Sequence, residues 1–115
     1  MMTHTMIVLL EFHTPWLALS REERRPLAKD IYHIVDEYKN RVQVRFFDAE
    51  ALPGANFTDF CICETKNLKD YHYMWEKIRD TAAYAQGYFK IKDVIMGMEN
   101  AYQSFEIEEL HMPLE

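Results

Sequence analysis

Arg45 and Asp59 are the two side chains of this sequence best suited to act together on a small molecule. Each lies in an alternating run, Val42 to Phe47 and Asp59 to Cys63, and a reversal centred near Leu52 sets them opposite each other on one face of a hairpin. There the guanidinium would clamp a carboxylate or enolate and the Asp would remove a proton. The same placement also describes a cross-strand ion pair that only fixes register. His13 is the second candidate base, because its reference pKa lies near neutrality and Glu11, two residues earlier, is placed to partner it. A His that merely caps or stacks in a turn is the plainer reading.

Aromatic side chains complete the set. Trp16, Tyr88 and Phe89 suit a pocket for a flat apolar ligand, whereas Trp75 falls at helical spacing and reads as core. Asp48 and Glu50 point the same way and read as a solvated rim or as paired carboxylates for proton transfer. Cys61 and Cys63 are too close along a strand for easy bridging and read as reduced, apolar fillers.

Other chemistries lack their signatures. His4, His13, His33, His72 and His111 form no H-x-x-x-H pair and the cysteines no C-x-x-C, so no metal is expected. His33 and His72 could be offered as haem ligands only without a supporting motif. No G-x-S-x-G is present, and Gly54, Gly87 and Gly97 are too scattered to cradle phosphate, so no cofactor is expected.

The elements that must position these residues follow from periodicity. The short run Ile7 to Leu10 reads as a central strand buried on both faces. After Thr14-Pro15-Trp16, Ser20 and Glu23 form an S-x-x-E capping box, and Leu27, Ile31, Ile34, Val35 and Tyr38 make one helical stripe, with Pro26 blurring its start. Two strands follow around the turn residues Leu52 to Asn56. Asn67 then caps a helix running through Gln86, Gly87 stops it, and Ile91 to Met98 give the last strand. The segment beyond Asn100 fits a strand, a short helix or an arm.

This order predicts a ferredoxin-like β-α-β-β-α-β fold, α+β, with a four-stranded antiparallel sheet in a single domain spanning residues 1–115. Right-handed crossovers put both helices on one face of the sheet. The other face, expected to carry Phe47, Cys61 and Cys63 beside Gln43, Arg45 and Asp59, needs a partner, most simply a second copy of the chain.

Charge narrows the partners further. The net charge of −6 resides mainly in the last segment, where Glu99 to Glu115 hold five Glu and no Lys or Arg, leaving 14 acidic and 13 basic residues before it. So balanced a body has no basic stripe for phosphates, and neither nucleic acid nor an anionic membrane is expected as a partner. The five-residue apolar run Met6–Leu10 is too short for a signal peptide or membrane span, which predicts a cytoplasmic protein.

The segments Thr14–Arg24, Arg45–Ala51, Glu64-Thr65 and Tyr88-Phe89 resemble the darcynin family of small bacterial proteins, over nearly the whole chain. Pro26 and the acidic end depart from the family pattern. The resemblance implies a dimeric α+β barrel, in which two ferredoxin-like sheets pack face to face, and no established activity. Proteins of that architecture include cofactor-free monooxygenases, isomerases, haem enzymes and ligand-sensing domains, so the fold selects no function. The expectation is therefore a homodimer enclosing a cavity bordered by Arg45, Asp59, His13 and aromatic side chains. It would bind, or convert without a cofactor, a small aromatic or conjugated acid. The alternative is a non-enzymatic assembly or regulatory module whose bare sheet serves only dimerisation.

Overall fold

A computed structural model describes residues 2–52 and 56–113. The chain runs β1 (His4–Phe12), α1 (Thr14–Ala18), α2 (Arg21–Glu37), β2 (Val42–Asp48), β3 (Asp59–Thr65), α3 (Leu68–Arg79), α4 (Ala82–Ala85), β4 (Phe89–Met98) and α5 (Ala101–Glu108). The strands form one antiparallel sheet in the order β2-β3-β1-β4. This is the predicted split β-α-β arrangement. Part of the predicted turn, residues 53–55, lies outside the described residues.

Local chemistry explains the helix boundaries. Ser20 Oγ accepts from the Glu23 amide at 3.1 Å and Glu23 Oε1 accepts from the Ser20 amide at 2.8 Å, so the capping box satisfies two otherwise orphaned donors. Helix α2 runs from Arg21 straight through Pro26. Asn67 caps α3 by accepting from Lys69 N at 3.0 Å. The single helix expected up to Gln86 is interrupted, because Thr81 Oγ1 donates to the Ile78 carbonyl and takes an extended backbone before α4. Gly87, with φ +79°, ends it as expected. The segment beyond Asn100 is a short helix.

Both long helices pack on one face of the sheet. Met6, Val8, Leu10, Val42, Cys61 and Cys63 are buried there against Met74, Trp75 and Ile78, with Leu27, Ile31 and Ile34 of α2 beside them. Each large apolar side chain so buried contributes about 2 kcal/mol. The opposite face carries three cross-strand rows: Gln43–Glu64–Thr5–Gly97, Arg45–Ile62–Ile7–Ile95 and Phe47–Phe60–Leu9–Asp93.

This register corrects the sequence expectation. Asp59 lies opposite Asp48, and Arg45 lies opposite Ile62. The pairing is displaced by three residues from a reversal centred near Leu52, and an odd displacement moves a residue to the other face. Asp59, Cys61 and Cys63 therefore sit on the helix-covered face, while Arg45 and Phe47 stay on the bare one.

Candidate functional site

The sheet register brings Asp48 and Asp59 together at the end of β2 and the start of β3, where like charges face each other across the ladder. One oxygen each from Asp48, Glu50 and Asp59 lies within 4.8 Å of the others. Among the described residues, no Lys, Arg or His forms an ion pair with any of the three. Burial, followed by contact with Asp48 and the charges of Glu50 and Asp48, pushes the Asp59 carboxyl up to about 6, with the Thr58 hydroxyl acting in the opposite sense.

Behind the two aspartates opens a cavity of about 100 Å³ between the sheet and the helices. Phe12, Trp16, Phe89, Tyr32, Phe46 and Trp75 are among its walls, and among the described residues Asp48 and Asp59 are its only charged lining. The rings brace one another: Phe12 stacks on Phe89 at 4.8 Å, Trp16 tilts against Phe12 at 5.4 Å, and Tyr32 meets Phe46 edge-on at 5.4 Å. The short helix α1, started by Pro15, holds Trp16 over this end of the core. The volume is of the order of the ~150 Å³ that admits benzene. The geometry suits one small ring whose polar end meets a carboxylate.

Of the residues singled out in sequence, Asp59, Asp48, Trp16 and Phe89 line this cavity, and so does Phe47, which was expected on the bare face. Tyr88 lies behind it, edge-on to Trp16 at 5.7 Å. Trp75 serves both as core and as wall. His13 and Arg45 are elsewhere. His13 Nδ1 lies 3.7 Å from Glu11, as its spacing suggested, and Glu11 also pairs with Lys90 at 3.5 Å and Lys92 at 3.6 Å. Lys90 lies opposite Glu11, and Lys92, two residues further along β4, shares its face. The Glu11 carboxyl is desolvated, but these cations hold it below its ordinary value. Arg45 pairs with Glu64 at 3.2 Å in an exposed position on the bare face. The anion clamp expected opposite Asp59 is thus absent from the cavity; the sequence reading offered Asp48 only with Glu50, as a solvated rim or paired carboxylates, and missed Phe12 and Tyr32 as lining. Only the alternation of Asp48 with Glu50 hinted at the carboxylate cluster.

Comparison with known proteins places the chain in context. Residues 2–110 match a family profile described as Darcynin, a domain of unknown function. "Darcynin 1" of Acinetobacter baumannii is 32% identical over 91 residues, covering 78% of this chain and 99% of that protein. A "Darcynin homolog" of Granulibacter bethesdensis is 29% identical over 99 residues, covering 85% and 78%. Among solved structures, a heme-binding protein from Thermus thermophilus superposes with a TM-score of 0.77 at 16% identity, covering 89% of this chain and 43% of that one. Chlorite dismutase from Candidatus Nitrospira defluvii in complex with imidazole gives 0.74 at 16% identity, covering 84% and 40%. The likeness to these structures is one of fold, and this chain spans less than half their length. A haem does not fit the cavity: it is too small for a macrocycle and no His among the described residues lines it. His33 is exposed, and His72 is exposed and paired with Glu76 at 3.3 Å.

Proposed function

The chain belongs to the darcynin family, and from that premise we propose that it binds a small aromatic molecule in the cavity beside Asp59, with Asp59 as proton acceptor. The observation that carries this reading is an aromatic-walled cavity whose charged lining, among the described residues, is two facing carboxylates. A carboxyl near pH 6 is matched to proton transfer around neutrality. Asp59 would accept the proton of a ring-borne hydroxyl, amino or acidic C–H group, and its facing neighbour Asp48 would stabilise the protonated form by sharing that hydrogen. A carboxylic acid ligand would meet repulsion here, which turns the expectation from an aromatic acid towards a neutral or cationic ring.

The test is titration of the full chain with phenol, aniline and benzoate, followed by Trp fluorescence and calorimetry. Binding of phenol or aniline that is lost in Asp59→Asn and weakened in Trp16→Ala supports the reading. Preferential binding of benzoate, or binding indifferent to both substitutions, rejects it.

A second reading, assembly as a homodimer through the bare sheet face, is favoured by a separate observation. Ile95 is 55% and Phe47 37% exposed in rows that also contain Ile7, Leu9, Phe60 and Ile62. A contiguous apolar face of this kind marks an interaction surface. Native mass spectrometry tests it by the mass of the intact species.

A further inference from the structure

Helix α5 is turned inside out relative to a helix that belongs to its own core. Its polar residues Gln103, Ser104 and Glu106 are partly covered, whereas Tyr102 is 65% and Phe105 54% exposed, and Leu110 just beyond it 55%. The residues leading into it are fixed: Glu99 N donates to Thr3 O at 3.0 Å, and Asn100 takes the left-handed φ of 50°. The molecule is correspondingly elongated, 58 Å in its longest dimension.

A matching apolar surface lies uncovered on the helix side of the sheet. Val94 and Met96 of β4 are in register with Val8 and Met6, which are buried beneath the helices, and Met98 lies opposite His4. Yet Val94 is 38%, Met96 61% and Met98 49% exposed, because the helix layer stops short of this edge strand. We propose that α5 of one copy covers the Val94–Met96–Met98 row of a second copy, so that two copies exchange C-terminal helices.

Dimensions and charge select this occupant. Eight helical residues extend about 12 Å, and the row from Val94 to Met98 extends about 13 Å. Two α5 helices do not pair with each other, since each brings Glu106, Glu108 and Glu109 with no cation between Glu99 and Glu109. The row ends at Met98, in line with His4, Thr65 and Val42 across the sheet. At that end a groove of about 440 Å³ is lined by Lys39, Arg41 and Lys66 together with Glu64 and Asp70. Arg41 is paired to Asp70 at 3.3 Å and Lys39 to Asp36 at 3.4 Å, and Lys66 is the cation of this group set against the acidic helix. The proposal is independent of the ligand cavity and shares with the sheet-face reading only the need for two copies.

The test mixes two full-length variants, one Met96→Cys and unlabelled, the other Phe105→Cys and isotopically labelled, and oxidises them gently. The native cysteines are buried and stay out of reach. A bridge between residues 96 and 105 joining labelled to unlabelled chain, found by peptide mass mapping, is expected. Its absence overturns the exchange. If the unmodified chain is a dimer when the bridge is absent, sheet pairing stands alone; if it is a monomer, both fail. As a second measurement that needs no new bond, Phe105→Glu is expected to weaken association at least about tenfold with melting of the monomer unchanged. Unaltered association of Phe105→Glu overturns the exchange as well.

Discussion

Asp59 ties the stability of the fold to pH. In the folded chain it holds its proton to about pH 6, against 3.8 for an ordinary aspartate. Its favourable contribution is therefore fully present below about pH 4 and is lost as pH rises from there through about 6. The displacement corresponds to about 3 kcal/mol, which the half-open position reduces to on the order of 1. Asp59→Asn should consequently raise Tm at pH 7.5 by about 4 °C and leave it nearly unchanged at pH 4; melting curves across pH 4–8 check this, and equal effects at both ends would refute it. Arg45, by contrast, forms an exposed pair with Glu64. Arg45→Ala should cost no more than about 0.5 kcal/mol in denaturant titration and leave ligand binding intact. Both residues were visible in the sequence as chemically interesting. What the sequence did not contain was their separation onto opposite faces of the sheet.

That separation arises from the hairpin between β2 and β3. The ten residues from Ala49 to Thr58 carry no two-residue turn signature to fix the register, and the alternation of apolar residues on each strand is satisfied by more than one pairing. Cys61 and Cys63 show the difficulty: only burial under Met74, Trp75 and Ile78 tells which face they take. The helices were legible because their signals are local, a capping box at Ser20, a cap at Asn67 and a stop at Gly87. Thr81 escaped notice because a side-chain bond to the Ile78 carbonyl competes with the helix without changing the apolar spacing. Pro26 remains the one local conflict, lying at the sixth position of α2 and unable to donate to the Glu22 carbonyl. Pro26→Ala restores that bond. It should stabilise the chain by about 1–3 kcal/mol in urea unfolding, and a loss of stability would show that the helix depends on the proline's fixed backbone.

Across the molecule the two faces of the sheet differ in what covers them. Helices cover one face, and the aromatic cavity forms at the end where Asp48 and Asp59 meet; the other face carries half-buried Ile7 and Ile62 in a row with exposed Ile95. No helix among the described residues is long and apolar enough to cross a membrane. Placing a charge in the row should separate assembly from folding. Ile95→Lys removes little buried area within one copy, so its Tm should stay within a few degrees, while sedimentation equilibrium should show association weakened at least about tenfold. Because the cavity is walled mainly from the covered face, with Phe47 also lining it, aniline binding should survive Ile95→Lys, just as the proposed dimer should survive Asp59→Asn. If instead breaking the dimer abolishes binding, the cavity is completed by the partner copy, and the division of the sheet into a binding face and an assembly face does not hold.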